Sequence, residues 1–321
     1  MTLADPISDA APAPRSARKR KGRLLQGAEY LLYRAASAVA RAAPDNQTAS
    51  FGAVLGRISQ RLLRRRADLV IRNLRMIFPE KSASEVAAIA DACWKHFGRA
   101  AVDYLRLPKM TFERIAARCE IVNGAILDAA VAENKGVILI SAHIGNWEYG
   151  GLVIMSVAER VRTVARALDN EFLERDLGRL RAQTGAAVID RRRAARQLLQ
   201  ALHEKGVVVL LPDQAVLARE GILSPFLGHP AWTTPAPAKL ALRVGSPIVF
   251  AFCIPHGAGY RLEFEGPILI DQLPADERSP ERLTRRINDV ISRRVLERPE
   301  LWLWMHDRWK ATGEGGRADE V

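Results

Sequence analysis

The segment Gly136-Val-Ile-Leu-Ile-Ser-Ala-His143-Ile-Gly-Asn-Trp-Glu148 sets a histidine and a carboxylate five residues apart, behind an apolar run. Imidazole is the side chain best suited to take a proton from a hydroxyl near neutral pH. A carboxylate beside it orients the ring and favours its protonated form. The apolar run reads as a buried strand that would deliver both groups to its C-terminal edge, where α/β enzymes place such groups. Gly145 and Asn146 would form the turn between His143 and Glu148. A strand-capping histidine and a glutamate on a solvated helical turn give the same spacing. With Asp and Glu at 36 of 321 residues, the offset also arises readily by chance. Of the 6 histidines, His143 alone has an acid at that offset, so the surrounding elements must decide.

Four further segments carry polar groups to strand ends. Arg166 lies in Val164-Ala-Arg-Ala-Leu-Asp-Asn170, and Arg179 and Arg181 in Leu177-Gly-Arg-Leu-Arg181. Arg191 belongs to Asp190-Arg-Arg-Arg193, and Asp213 ends Leu210-Leu-Pro-Asp-Gln214. Right-handed crossovers would bring these ends to the same side of a parallel sheet as His143. Arginines gathered there suit a phosphate-bearing ligand, which they bind by paired hydrogen bonds. Taken singly, Arg191–Arg193 also fit a solvated charge run and Asp213 a helix N-cap. No nucleotide-binding glycine motif, no serine nucleophile elbow and no metal-ligand spacing occurs, so neither a cofactor nor a metal is expected.

The elements that must hold these groups change character along the chain. Residues 1–21 are rich in Ala, Pro, Ser and basic side chains and read as a disordered arm. Residues 22–107 read as helical, with amphipathic stretches at Leu24–Arg41, Phe51–Leu63, Asp68–Ile77 and Val86–Leu105. Ser82-Ala-Ser-Glu85 is a capping segment for the last of these. Residues 108–311 alternate between strand and helix, and 312–321 form a tail. Strands are expected at Gly136–Ala142, Val161–Ala167, Ala186–Asp190, Gly206–Pro212 and Pro247–Ile254, with Tyr260–Glu265 as an antiparallel edge. The fold class is α/β, a mixed and mostly parallel sheet flanked by helices, behind a helical, membrane-associating N-terminal part. Ser224–Gly228 and Trp232–Pro235 read as a loop. Trp302, Trp304 and Trp309, with His306 and Arg308, fit either a membrane interface or a core beneath the C-terminal segment.

The net charge is +12, with 48% hydrophobic and 26% charged residues, which describes a globular chain drawn to polyanions. The 3 cysteines are scattered, which favours a reducing compartment without disulfides. No secretory signal is expected. Leu24–Ala43 is interrupted by Glu29, Arg34 and Arg41, so a protein that is soluble or lies on a membrane surface is expected rather than a spanning one.

With those residues in hand, the chain resembles the bacterial lipid A biosynthesis acyltransferases, of the lysophospholipid acyltransferase superfamily. The superfamily's H-x-x-x-x-D/E corresponds to His143–Glu148, and the G-N-W-E form is typical of the lipid A branch. Matching pieces follow in the family's order: Arg72-Asn-Leu-Arg-Met-Ile-Phe-Pro79, Gly178–Arg181, Asp190–Arg192, Leu211-Pro-Asp-Gln214, Pro225–Gly228, Thr233–Pro235 and Pro299–Trp304 with Arg308. The resemblance covers about residues 25–311. It implies transfer of a fatty acyl chain from acyl-carrier protein (or acyl-CoA) to a glycolipid hydroxyl, without a metal or a covalent intermediate. His143 would be the base and Glu148 its partner, with Arg179, Asp213 and Arg166 serving the site; Asn146 and Arg191 are the further candidates for substrate contact, and an arginine or the backbone N–H groups at Gly145–Asn146 would stabilise the oxyanion. The implied partners are acyl-carrier protein, a lipid A precursor or related lipid, and the membrane surface, not nucleic acid. The implied location is the cytoplasmic face of the inner membrane. An acceptor such as a phosphatidylinositol mannoside or a lysophospholipid is the alternative.

Overall fold

The computed structural model describes residues 22–42, 44, 47–107, 110–165, 170–182, 187–190 and 194–313. Four helices lead: α1 (Arg23–Ala42), α2 (Thr48–Leu62), α3 (Arg64–Ile77) and α4 (Ala83–Arg106). Then come α5 (Phe112–Ala116), β1 (Cys119–Val122), α6 (Ala125–Ala132), β2 (Val137–Ile140), α7 (Trp147–Val157) and β3 (Val161–Ala165). They are followed by α8 (Glu171–Ala182), β4 (Ala187–Asp190), α9 (Ala194–His203) and β5 (Val207–Leu210). The chain continues through a hairpin, β6 (Ile222–Phe226) and β7 (His229–Thr233), then α10 (Ala236–Val244), β8 (Ile248–His256), β9 (Gly259–Ile268) and α11 (Pro280–Glu297).

Seven strands form the main sheet in the order β1-β9-β8-β2-β5-β3-β4. Strands β8, β2, β5, β3 and β4 are mutually parallel, β9 is antiparallel to β8, and β1 is parallel to β9. Helices cover both faces. Ile138, Ile140 and Val208 therefore pack on one side with Val70, Leu74 and Phe78, while Val137, Leu139 and Val207 pack on the other with Tyr149, Leu152 and Val153. Burial on both faces is why β2 and β5 read as unbroken apolar runs instead of alternating ones. The three tryptophans Trp302, Trp304 and Trp309 are fully buried in the first of these cores, where they stack edge to face. Core packing, not an interfacial belt, is what that cluster does.

Two expectations change. Tyr260–Glu265 is not an edge, because β1 pairs outside β9. Ser224–Pro235 is largely a β-hairpin. Its two-residue turn, Leu227-Gly228, has φ of 51° and 83°, the left-handed values that such a turn needs. The Ser82/Glu85 capping box is present at the start of α4.

Helices α2 and α4 cross at glycines. A Cβ at Gly98 would lie 2.0 Å from the Gly52 carbonyl oxygen and 2.6 Å from the Gly56 nitrogen. Gly98→Ala must therefore push the two backbones apart. It is expected to cost about 2 kcal/mol or more, read as a lower thermal midpoint, while a substitution at Gly151, which meets open space, leaves that midpoint within a degree or two.

Helices α1 and α2 are inside out. Helix α1 buries Gln26, Ser37 and Ala40 and exposes Leu24, Leu25, Leu31, Leu32 and Val39. Its inward side is held by polar bonds, Ser37 Oγ to the Leu105 carbonyl at 2.6 Å and Tyr30 Oη to Asp176 at 2.9 Å. Helix α2 buries Thr48, Gly52 and Gly56 and exposes Phe51, Val54, Ile58 and Leu62. No helix among the described residues is long and apolar enough to cross a membrane.

Candidate active site

Strands β2 and β5 pair in register, Val137 with Val207 through Ile140 with Leu210. His143 and Asp213 each stand three residues past the last of these pairs, so the parallel register carries both to the same level above the sheet. They meet there: His143 Nδ1 lies 2.8 Å from Asp213 Oδ1. The other carboxylate oxygen accepts the His143 backbone N–H at 2.8 Å and the Trp302 indole N–H at 2.9 Å. Trp302 is brought in by the C-terminal segment, which clasps the residues after β2. The Leu303 N–H donates to the His143 carbonyl at 3.0 Å, and the Gly145 N–H to the Leu301 carbonyl at 2.9 Å.

Asp213 is 1% exposed. Burial alone would raise its carboxyl. The His143 charge and hydrogen bond, with the two further N–H donors, overcome that and hold it at about 2. Burial likewise pulls the His143 imidazole down, but the Asp213 charge and hydrogen bond, with a smaller contribution from Glu148, leave it above its ordinary value. Asp213 is thus an anion that fixes the Nδ1–H tautomer and stabilises the imidazolium. Nε2 is left unprotonated, the state a general base needs. The Gln214 amide donates to its lone pair at 3.1 Å.

The bond expected from Glu148 to His143 is made by Asp213 instead. Glu148 sits exposed in the first turn of α7 and reaches the imidazole through its charge. Asn146 is buried and committed to the protein. Its Oδ1 caps the Tyr149 N–H at 3.1 Å, and its amide donates to Tyr260 Oη at 2.9 Å. Tyr260 in turn donates to Asp103, which faces Arg99 at 3.8 Å. Arg166 and Arg191 lie outside the described residues, as does the side chain of Arg179, whose backbone is in α8.

The backbone donors expected for an oxyanion are also spoken for. The Gly145 N–H is bonded to Leu301, and the Asn146 N–H donates to the Cys253 carbonyl at 2.8 Å. Gly145 needs its left-handed φ of 64°, and a Cβ there would lie 2.0 Å from the Cys253 oxygen. His96 clamps the same turn, with Nε2 3.0 Å from the Gly145 carbonyl. Burial holds His96 near 4, so it is a neutral ring donating Nε2–H.

Site residues that the sequence did not single out are Gln214, which lies within the Leu211–Gln214 motif, and Trp302 and His306, which read there as part of an aromatic cluster. His306 Nε2 accepts the Ala215 N–H at 3.0 Å, which pins the loop carrying Asp213 and Gln214. Burial pulls His306 down to about 4, so it too is neutral. Arg308 is buried beneath the hairpin and donates to the Trp232 carbonyl at 2.6 Å and to Thr233 Oγ1 at 2.5 Å. Burial lowers it to about 10, opposed by the charge of Asp213.

The sequence profile of the bacterial lipid A biosynthesis acyltransferases matches residues 16–311. Similar proteins include a phosphatidylinositol mannoside acyltransferase of Mycobacterium tuberculosis, 26% identical over 70% of this chain and 72% of the relative. The lipid A biosynthesis lauroyltransferase of Escherichia coli K12 is 27% identical over 82% of this chain and 85% of the relative. The lipid A biosynthesis myristoyltransferase of the same organism is 24% identical over 78% and 77%.

Proposed function

Because the chain belongs to the bacterial lipid A biosynthesis acyltransferase family, we propose that it moves a fatty acyl chain from an acyl-carrier thioester (or acyl-CoA) to a hydroxyl of a lipid A precursor. The observation that carries this is the His143–Asp213 pair, which leaves the Nε2 lone pair on the side of the ring away from Asp213, against the Gln214 amide. A thioester is already activated, so the reaction requires only a base for the hydroxyl and a donor for the oxyanion. His143 takes the hydroxyl proton and returns it to the leaving thiolate. Asp213 holds the ring and balances its charge. Glu148, exposed beside the imidazole, is assigned to the acceptor. Glu148→Ala is expected to lower transfer, by less than His143→Ala does, while leaving the fold intact, checked by product formation and circular dichroism.

The inside-out helices support a place on a lipid surface, which under this proposal is the cytoplasmic face of the inner membrane. Leu32 is 72% and Leu62 75% exposed, and Arg61, Arg64, Arg65 and Arg66 adjoin Leu62. Leucines set beside arginines fit the boundary between acyl chains and anionic headgroups. Leu31→Glu with Leu32→Glu is expected to lower binding to vesicles containing anionic lipid about tenfold or more in a flotation assay, without lowering the thermal midpoint. Unchanged flotation would remove α1 from the membrane-binding face.

The likeness to the mannoside acyltransferase supports a second acceptor, a phosphatidylinositol mannoside. Purified protein offered a charged acyl carrier with each lipid separately, and read by mass spectrometry, separates the two. An acyl mass added to the phosphorylated glucosamine lipid alone establishes the first reading, and one added to the mannoside alone establishes the second. No new ester on either lipid would overturn both.

A further inference from the structure

We propose that Gln214 is a further catalytic residue, whose side-chain amide occupies the acceptor hydroxyl's seat at rest and donates to the oxyanion during transfer. This rests on the acyl-transfer reading above.

The bond from Nδ1 to Asp213 leaves Nε2 as the nitrogen that must accept the hydroxyl proton. The Gln214 amide already fills that acceptor at 3.1 Å. An incoming hydroxyl can reach Nε2 only by displacing it. The displacement moves the amide a short way, because the residues on both sides of it are held. Asp213 is held by three hydrogen bonds, and the Ala215 N–H is held by His306.

The displaced amide then lies next to the bond being made. The hydroxyl oxygen gives its proton to Nε2 and its electron pair to the thioester carbon, and the carbonyl pair moves onto oxygen. That oxyanion is two bonds from the attacking oxygen, so a donor just pushed off Nε2 reaches it by side-chain rotation. When the pair returns, the C–S bond breaks and the thiolate leaves with the proton from Nε2. The charge therefore appears where Gln214 is, at the moment Gln214 has lost its resting partner.

Among the described residues, competing donors are committed. The N–H groups of Gly145 and Asn146 bond to Leu301 and Cys253, and the Trp302 indole bonds to Asp213. Arg308 bonds to the hairpin, and His306 Nε2 serves as an acceptor. Among the described residues, Gln214 is the uncommitted-on-binding donor that meets the reacting nitrogen.

The test is steady-state transfer by full-length wild type, Gln214→Ala, Gln214→Glu and His143→Ala, with a medium-chain acyl-carrier thioester and the lipid acceptor that wild type esterifies. Loss of one oxyanion donor lowers turnover about 10²- to 10³-fold. Gln214→Ala is expected to show that loss in kcat, with the acceptor KM unchanged or lower because the seat is empty. Gln214→Glu keeps the shape but sets a carboxylate against the oxyanion, and is expected to lose at least as much. A folded fraction and thermal midpoint equal to wild type separate this loss from unfolding, which also lowers apparent kcat at unchanged KM, and a lowered KM is a shift that unfolding does not produce. Gln214→Ala with kcat within threefold of wild type, or a raised KM at unchanged kcat, would overturn the assignment. If that occurs while His143→Ala is inactive, Gln214 alone loses its role. If His143→Ala is also fully active, the acyl-transfer reading falls and the assignment falls with it.

Discussion

His143→Ala is expected to lower acyl transfer by about 10²- to 10⁴-fold, the range that a positioned general base supplies. The loss follows from its place. Its Nε2 is the proton acceptor at the open edge of the sheet, and neither neighbouring imidazole can replace it. His96 spends its Nε2–H on the Gly145 carbonyl, and His306 spends its Nε2 lone pair on the Ala215 N–H. The variant should fold. Asp213 loses one of three hydrogen bonds but keeps the His143 backbone N–H and the Trp302 indole. A buried acceptor left unpaired costs about 1–3 kcal/mol, which a melting experiment would show beside the lost activity.

Asp213→Asn should be nearly as damaging, about 10³-fold, and its pH profile carries the diagnosis. Three N–H donors point at the Asp213 carboxylate: His143 Nδ1, the His143 backbone and Trp302. An asparagine offers one acceptor oxygen and a donating NH2, so one of the three must give way. If the oxygen stays with the two fixed N–H groups, the amide faces Nδ1 and forces the proton to Nε2, which removes the base. The carboxylate also holds the His143 imidazole above its ordinary value, so base activity in wild type sets in only as pH rises through that raised value. Removing the charge lowers it. The acid limb of the residual activity should therefore move to lower pH, as rate against pH would show, and a limb moved upward would contradict the pairing.

The same pair makes stability depend on pH in opposite senses. Asp213 titrates in the folded state at about 2, below an unfolded carboxylate, so its contribution is present above the unfolded value and lost as pH falls toward 2. His143, raised in the fold, contributes below its unfolded value and loses that contribution as pH rises through the folded one.

Much of this was legible in the chain. Apolar runs bounded by glycine gave β2 and β5, and the Ser82–Glu85 signature gave the start of α4. The partner of His143 is legible too, in the matched spacing of two strands. His143 stands seven residues after Gly136 and Asp213 seven after Gly206, each behind an apolar strand, and two parallel strands paired in that register bring them together. Glu148 is nearer in sequence, but α7 begins at Trp147, and its first turn carries Glu148 outward. Other elements left no local signal. Strand β1 is four residues long and half exposed, so it shows neither alternation nor an apolar run. The hairpin turns on Leu227-Gly228 and holds Pro225 and Pro230, which disguise it as a loop. Trp302 reaches Asp213 across 89 residues, a contact set by tertiary packing that no spacing foretells. The burial of Gln26 and Ser37 beneath outward-facing leucines reverses the usual sense of amphipathicity, which periodicity cannot assign.

The most direct test of the account follows thiol release from an acyl-carrier thioester and ester formation on the lipid acceptor together, in wild type and His143→Ala. The account predicts acceptor-dependent thiol release matched mole for mole by new lipid ester in wild type, with both lost in the variant. Equal ester formation by the two proteins, or thiol release in wild type that never appears as lipid ester, would contradict it.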